Sequence, residues 1–249
     1  MRVLTRVAAA ASRRLGRPEL LSAVNATARQ AQSEAICMRA VLASALSGEG
    51  TYLDIGTNRG QVLREAVRIA PRGRHVAFEP IPALAAVLAR EFPQVDCREK
   101  ALGARVETAQ FCHFTRLDGW SGLRRRTEIS DSQGEPEFIT VDVSTLDVEA
   151  AGLRPSAIKI DVEGAELAVL EGGRALMAET RPTVIFEHVK GAAALYGAAP
   201  GAPWDLLTEL GYGIYSITGE GPFSRSAFAD SERIVNWLAA PGQAIGQSR

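Results

Sequence analysis

Downstream of Thr51, short runs of β-branched and apolar residues alternate with stretches whose apolar residues recur at the spacing of a helix face. Such alternation is typical of βαβ units around a parallel sheet. The predicted strands are Tyr52–Ile55, His75–Glu79, Val95–Leu102, Ile158–Val162, Val184–His188, Tyr212–Ile217 and Arg233–Leu238. The last two are expected to form an antiparallel pair. The pattern therefore predicts an α/β fold built on a mostly parallel sheet.

Helices are predicted between these strands, where proline or glycine marks the helix ends. They cover residues 60–70, 82–91, 165–171 and 204–210. Two further strand-like pieces, Gln110–Phe114 and Phe138–Val143, lie between the third and fourth predicted strands. The order of elements indicates one domain after the first fifty residues, because the pattern contains no repeat and no second core.

The first part of the chain has a different composition. It is rich in Ala, Arg, Gln, Glu and Leu and lacks glycine between Gly16 and Gly48, which favours helix. We therefore expect a helical N-terminal arm over residues 1–48, the main domain over residues 49–241, and a disordered tail over residues 242–249.

Composition narrows the classes of function. The chain of 249 residues is 46% hydrophobic with a net charge of −1, so no overall basic field attracts nucleic acid. No run approaches the roughly 18 uncharged apolar residues that a membrane helix needs. Three cysteines without CxxC spacing indicate a reducing compartment, and we expect a cytoplasmic protein.

The segment from Asp54 to Gly60 joins the first predicted strand to the first helix. A doubly wound sheet binds nucleotides against this turn, where Gly56 allows close backbone approach, Asn58 tolerates a left-handed conformation and Gly60 allows tight helix packing. The G-x-G-x-x-G pattern is missing, and the Asp54 carboxylate would repel a pyrophosphate. The loop therefore favours a nucleoside with a cationic or neutral tail, the alternative being a tight turn without a ligand.

Glu79 ends the second predicted strand, 25 positions after Asp54. This is close to the spacing at which an acid accepts hydrogen bonds from the ribose hydroxyls of a bound nucleotide. The alternative is that Glu79 only caps the helix that follows Pro80.

The fourth predicted strand carries an unusual row of charges. Strand alternation puts Lys159, Asp161 and Glu163 on one face, whereas a central parallel strand is usually apolar on both. Burying these charges is costly unless they pair. Either Lys159 and Asp161 form a structural ion pair, or Asp161 and Glu163 act at the end of the strand; we favour the second interpretation.

With these features, the chain from Thr51 to Leu238 resembles the FkbM-type S-adenosylmethionine-dependent methyltransferases. The resemblance is carried by Asp54–Gly60, Phe78–Pro82, Ala101–Gly103, Thr145–Asp147, Ile158–Gly173 and Phe186–His188. It implies a class I methyltransferase (Rossmann-like) fold, an α/β architecture whose seven-stranded, mostly parallel sheet has helices on both faces. It also implies O-methylation of a hydroxyl on a sugar, glycan or secondary metabolite, with S-adenosylmethionine as cofactor.

The resemblance also implies roles for single residues. Asp54, Gly56 and Asn58 would hold the methionine end of the cofactor, Glu79 the ribose, and Ala101 with Leu102 the adenine. The full predicted cofactor-binding set is Asp54, Gly56, Asn58, Gly60, Glu79, Ala101, Leu102 and Asp161.

A sugar or alkyl hydroxyl stays protonated near pH 7, so a positioned base would accelerate transfer by roughly 10²–10⁴-fold. His188 ends the fifth predicted strand and has the ordinary pKa range for this role, with a buried core histidine as the alternative. Asp161 or Glu163 would orient His188 or bind the acceptor hydroxyl, which completes the predicted catalytic set. Asp161, Glu163 and Glu187 could ligate a divalent metal, but no spacing demands one and no metal ligand is assigned.

Two other functions compete with this interpretation. One is a nicotinamide-dependent oxidoreductase on a similar sheet, against which the missing glycine pattern and Asp54 count. The other is a catalytically silent nucleoside-binding module. The expected partner is a small-molecule or glycan acceptor, with no nucleic acid and no membrane span, and a homo-oligomer is left open.

Overall fold

The computed structural model describes residues 18–115, 118–125 and 135–242, with side chains described from residue 27 onward. The chain divides into two compact units at Val41 and Leu42, within helix α1 (Pro18–Leu46). The start of the predicted arm and residues 243–249 of the predicted tail lie outside the described residues. The boundaries predicted at residues 48 and 242 stay predictions.

Ten strands follow helix α1 in the described part of the chain. They are β1 (Thr51–Ile55), β2 (Val76–Phe78), β3 (Asp96–Arg98), β4 (Ala101–Leu102), β5 (Glu107–His113), β6 (Glu137–Ser144), β7 (Pro155–Ile160), β8 (Thr183–Glu187), β9 (Tyr212–Ser216) and β10 (Asn236–Pro241). The helices between them are α2 (Gln61–Ile69), α3 (Pro82–Glu91), α4 (Leu146–Glu149), α5 (Glu166–Gly172), α6 (Arg174–Thr180), α7 (Lys190–Ala194), α8 (Ala202–Glu209) and α9 (Arg225–Asp230). None of the described helices has the length and hydropathy needed to cross a membrane.

The main sheet has seven strands in the order β3-β2-β1-β7-β8-β10-β9. The first five run parallel to one another, and β10 pairs antiparallel with both β8 and β9. This confirms the predicted α/β class and its antiparallel pair. The chain builds outward from β1 in one direction and from β7 in the other, so a topological switch point lies between these two strands. In such sheets the crevice beyond the carboxyl ends of the strands is where ligands bind.

The single third strand predicted over Val95–Leu102 is wrong. The chain turns after β3, where the Lys100 N–H donates to the Arg98 carbonyl oxygen at 3.0 Å, and β4 leaves the main sheet. It joins a second, three-stranded sheet in the order β4-β6-β5. The inner face of this sheet packs Phe111 and Val141 against Ile81, so the small sheet stands beside the start of α3.

The predicted fourth and fifth strands are each too long at their carboxyl ends. β7 stops at Ile160, because the Glu166 side chain accepts the N–H groups of Val162 at 3.2 Å and Gly164 at 3.0 Å and fixes the intervening residues as a loop. Glu163 there has a φ of 56°. The strand alternation expected from the sequence therefore ends before Asp161.

Candidate functional site

A cavity of about 410 Å³ lies at the carboxyl ends of β1, β2 and β7, within the range of small-molecule sites. Eight of the predicted site residues line it: Asp54, Gly56, Asn58, Glu79, Ala101, Leu102, Asp161 and Glu163. The other two residues predicted for the site, Gly60 and His188, do not line the cavity. The switch point of the sheet thus gathers most of the predicted set in one hollow.

Gly56 brings the loop after β1 against the loop after β7. Its φ is 79°, and a Cβ at this position would lie 1.8 Å from the Asp161 carbonyl oxygen. The loop is further fixed by the Gly56 and Thr57 N–H groups, which both donate to the Phe78 carbonyl at 3.1 Å. A side chain at Gly56 would therefore both strain the backbone and push the two loops apart.

Gly60 plays a different part in the same loop. Its φ is 69°, and a Cβ there would approach the Leu88 and Phe92 side chains at 2.9 and 2.8 Å. Gly60 therefore allows the start of α2 to pack closely against these residues. Asn58, with a φ of 49°, adopts the left-handed conformation that asparagine tolerates.

Glu79 joins the loops that follow the first two strands. Its Oε2 accepts the Asn58 N–H at 2.7 Å and its Oε1 accepts the Ile81 N–H at 3.0 Å. Burial raises the pKa of Glu79 to about 7, against the opposing effect of these two hydrogen bonds. Each carboxylate oxygen keeps acceptor capacity, so the group is fixed in direction and still able to accept hydroxyls from a ligand. The bond to Ile81 reaches the N-cap residue of α3, but this helix has no side-chain cap.

Asp54 is 1% exposed, and its Oδ1 has no hydrogen-bond partner among the described residues. Burial raises the pKa of Asp54 to about 6; Lys159 opposes this shift and Asp161 adds to it. Asp54 and Lys159 are register partners on β1 and β7. A buried carboxylate oxygen left without a donor at the cavity wall is suited to a ligand that donates hydrogen bonds or carries positive charge.

Lys159 is the cation at the centre of the site. Its Nζ lies 2.8 Å from Asp161 Oδ2. Burial lowers the pKa of Lys159, but Asp161 and Asp54 outweigh burial and raise it overall. The ion pair that the sequence left open is thus present, and both of its members also line the cavity.

The loop after β7 and the last residue of β8 bring three acidic groups together. Carboxylate oxygens of Asp161, Glu163 and Glu187 lie within 4.8 Å of one another. Burial raises the pKa of Glu187 to about 8, and the like charges of Asp161 and Glu163 add to the shift. This cluster can accept a proton or hold a positively charged group, and carboxylates are the ligand type that hard divalent cations prefer. Glu187 was not among the predicted site residues, since strand alternation puts it opposite His188.

His188 is not brought to the cavity. It is 6% exposed, and its ring stacks on Phe228 of α9 with 5.2 Å between centroids. Burial lowers the pKa of His188. Its backbone N–H donates to the Val235 carbonyl at 2.9 Å. The ring is buried in the core, as in the alternative to catalysis, and neither ring nitrogen has a hydrogen-bond partner among the described residues.

None of the predicted site residues comes from residues 118–125, the segment that covers the cavity. Asp118, Gly119, Ser121 and Leu123 of this covering segment line the cavity. Asp118 forms an ion pair with Arg59 of the loop after β1.

Comparison with known proteins gives the following matches. A family model described as the methyltransferase FkbM domain matches residues 54–214. The AMB antimetabolite synthetase AmbE of Pseudomonas aeruginosa is 28% identical over 208 residues, covering 67% of this chain and 10% of AmbE. The chain therefore spans about a tenth of the length of this curated relative.

Solved structures also match. A methyltransferase FkbM from Methylobacillus flagellatus matches at 15% identity with a TM-score of 0.48, over 77% of this chain and 44% of that chain. The plantazolicin methyltransferase BpumL, in complex with SAH, matches at 11% identity with a TM-score of 0.41, over 97% of each chain.

Proposed function

The chain belongs to the FkbM methyltransferase family, which implies S-adenosylmethionine-dependent methylation, and on that premise we propose that it is an O-methyltransferase. The acceptor is a hydroxyl of a sugar, glycan or secondary metabolite. The observation that carries the proposal is that Asp54 and Glu79 line one cavity, at the ends of neighbouring parallel strands.

This pair of acids supports a sulfonium nucleoside over a diphosphate. Glu79 is oriented by two backbone N–H groups and would accept hydrogen bonds from ribose hydroxyls. The Asp54 carboxylate, whose Oδ1 accepts no hydrogen bond among the described residues, fits the positively charged amino group at the amino-acid end of S-adenosylmethionine. A pyrophosphate beside the loop after β1 would be repelled by the Asp54 carboxylate, which disfavours a nicotinamide dinucleotide.

The cavity wall contributed by the second sheet supports binding of the adenine end of S-adenosylmethionine. Ala101 and Leu102 of β4 are buried and line the cavity, as do Ile81 and Phe111. An apolar wall with few polar groups suits a heteroaromatic ring.

When bound, S-adenosylmethionine supplies an electrophilic methyl group. The residues of this chain would align the acceptor oxygen with it, and such alignment can contribute roughly 7–11 kcal/mol of the barrier. We assign proton acceptance to the cluster of Asp161, Glu163 and Glu187, since its oxygens lie within 4.8 Å of one another and two of its members line the cavity. His188 has no part in this assignment because its ring packs on Phe228.

The cofactor assignment is tested by calorimetry of the purified chain with S-adenosylhomocysteine and, separately, with NADH. We expect S-adenosylhomocysteine to bind and NADH not to bind. Asp54→Asn should weaken binding of S-adenosylhomocysteine, because the amide no longer attracts a positively charged group. Binding of NADH without the nucleoside would contradict the proposal and favour the oxidoreductase alternative.

The reaction is tested by incubating the chain with labelled methyl donor and fractionated metabolite and glycan extracts. We expect label in a product whose methyl group is bonded to a former hydroxyl oxygen, as read by mass spectrometry and NMR. A label bonded to nitrogen would overturn the O-methyl assignment while leaving methyl transfer intact. Cofactor binding without transfer to any fraction would favour the silent binding module.

A further inference from the structure

Tyr196 follows helix α7, outside the lining of the cavity, yet it contacts two parts of the molecule that do line it. Its hydroxyl oxygen accepts the Arg124 N–H at 3.1 Å, across 72 positions of sequence. Arg124 belongs to the covering segment 118–125. The phenol is half-buried, and burial raises its pKa, so it stays a neutral hydrogen-bonding group throughout the physiological range.

Glycines make room for this side chain on both sides. A Cβ at Gly164, in the loop after β7, would lie 3.0 Å from Tyr196 Cε2. A Cβ at Gly122, in the covering segment, would lie 3.1 Å from the Tyr196 hydroxyl oxygen and 3.5 Å from Glu163 Cβ. The ring therefore stands between the covering segment and the loop that carries Asp161 and Glu163.

The rest of the covering segment is held by other contacts. Cys112 of β5 and Gly122 exchange two backbone hydrogen bonds of 2.8 and 3.1 Å, and Ser121 Oγ accepts the Phe114 N–H at 3.0 Å. These bonds tie the segment to the small sheet. Arg59, paired with Asp118, and Tyr196 connect it to the loops around the main sheet, one at each end of the described segment.

The connections through Arg59 and through Tyr196 lie on different sides of the cavity. Arg59 belongs to the loop after β1, on the side where we place the cofactor. Tyr196 lies against the loop of the acidic cluster, on the side where we place the acceptor. We propose that Tyr196 is a positioning residue, which holds the covering segment against the acidic loop and so sets the shape of the acceptor end of the cavity. This inference rests on the proposed function and deepens it.

The first test compares Tyr196→Phe with the unchanged chain by hydrogen exchange, without ligand. The variant removes only the acceptor of the Arg124 N–H, so we expect exchange of the peptide containing residues 121–125 to rise by about tenfold. Tyr212→Phe is the matched control, since the Tyr212 hydroxyl donates to the Met177 carbonyl at 3.3 Å away from the cavity. Unchanged exchange of this peptide in Tyr196→Phe would overturn the proposal.

A spectroscopic signature separates positioning from a general loss of structure. Trp120 lies in the covering segment and is 42% exposed, so its fluorine resonance in chain labelled with 5-fluorotryptophan reports on the segment. We expect that resonance to shift or broaden in Tyr196→Phe, while those of Trp204 and Trp237 stay unchanged. Equal changes at all three tryptophans would overturn the proposal, because they would indicate a global effect.

A second variant approaches the same contact from the other side. Gly122→Ala places its Cβ against the phenol, and we expect the same rise in exchange of residues 121–125. For both variants the dissociation constant for S-adenosylhomocysteine should stay within about twofold of the unchanged chain. A loss of nucleoside affinity that accompanies the faster exchange would overturn the assignment to the acceptor end. If the unchanged chain fails to bind the nucleoside, the proposed function fails, and the exchange comparison still decides the role of Tyr196.

The acceptor role is then read with the extract fraction that the unchanged chain methylates. Tyr196→Phe should raise the half-saturating amount of this fraction by about fivefold, equivalent to the loss of one hydrogen bond, with the maximal rate preserved. An unchanged half-saturating amount would overturn the proposal.

Discussion

The two walls of the cavity are built in different ways. The wall after β1 and β2 is fixed by backbone groups: the loop amides donate to the Phe78 carbonyl, and Glu79 is held by two N–H groups. The wall at the end of β7 is also held by backbone hydrogen bonds to Glu166, but its side chains are charged, with Lys159 paired to Asp161 and Glu187 of β8 close to Asp161 and Glu163. We call these the amide wall and the charged wall.

We relate this difference between the walls to two tasks, recognition of the cofactor and proton transfer from the acceptor. Groups held by backbone hydrogen bonds have their geometry set by the fold, which suits a cofactor that is the same in every turnover. Groups held by mutual charge change their protonation with pH and ligand, which suits the handling of a proton from the acceptor. The two walls meet at Gly56, whose backbone approaches the carbonyl of Asp161.

The largest expected effect comes from separating the walls at that point. Gly56→Ala places a Cβ 1.8 Å from the Asp161 carbonyl oxygen at a positive φ. Left-handed strain and overpacking together should lower the free energy of unfolding by about 2–5 kcal/mol, as measured by urea denaturation, and abolish S-adenosylhomocysteine binding.

Gly152→Ala is the control for this prediction. Gly152 has a φ of 75°, and a Cβ added there would meet no atom within 4 Å, so the variant carries the strain without the clash. It should lose about 1–2 kcal/mol and keep full affinity. Equal losses in the two variants would show that the closeness of the walls is not what matters at Gly56.

The next effect is confined to the amide wall. Glu79→Ala leaves the Asn58 and Ile81 N–H groups without their acceptor, and hydrogen bonds to a charged group contribute about 1.5–3 kcal/mol. We expect S-adenosylhomocysteine to bind about 100-fold more weakly, and Glu79→Gln, which keeps one oxygen, to be intermediate. Calorimetry measures both. Glu91→Ala, an exposed glutamate paired with Arg64, should change nothing, and an unaltered affinity in Glu79→Ala would remove Glu79 from the site.

The amide wall is also the part of the site that the sequence predicted best. Its signals are local: Asp54 ends a buried run, Gly56 and Asn58 follow within four positions, and Glu79 ends the next run. Parallel strands bring such ends to one edge of a sheet, so position along the chain was enough to place them together.

The charged wall and the covering segment depend on contacts that no local pattern contains. Strand alternation extended through Glu163, but Glu166 turns the backbone there through its hydrogen bonds to Val162 and Gly164. Glu187 belongs to the acidic cluster, whereas His188 packs on Phe228 away from the cavity. The register of β8 with its neighbouring strands determines the position of both residues. The periodicity of the sequence indicates which residues are apolar, but it does not indicate which loops contact each other.

The next prediction, with a smaller expected effect, tests whether the charged wall makes the stability of the chain depend on pH. The pKa of Glu187 is raised to about 8, whereas an unfolded glutamate titrates near 4.5. Between these values the folded chain holds a proton that the unfolded chain has lost, so the stability from this group falls as pH rises through that window. Glu187→Gln should match the unchanged chain most closely at pH near 4 and have a higher urea midpoint at pH near 9.

Exposed Glu171 provides the matched control, since Glu171→Gln removes the same charge outside the cluster. Its effect on the urea midpoint should be small and equal at both pH values. A gain in Glu187→Gln that is as large at low pH as at high pH would contradict the assignment of the titration to the charged wall.

The smallest effect concerns His188, which belongs to neither wall. Burial lowers its pKa, so below about pH 6.5 the unfolded chain gains a proton that the folded chain does not, and stability is lost as the pH falls. His188→Phe keeps a ring against Phe228 and removes this proton, so its urea midpoint should fall less than that of the unchanged chain between pH 7.5 and 5.5. At pH 8.5 histidine is neutral in both the folded and the unfolded chain, so the stability of His188→Phe should differ from that of the unchanged chain only through packing. The dissociation constants of the two chains for S-adenosylhomocysteine should agree within about twofold. A tenfold weaker affinity in His188→Phe would mean that the imidazole supports the cavity after all and would return it to the site.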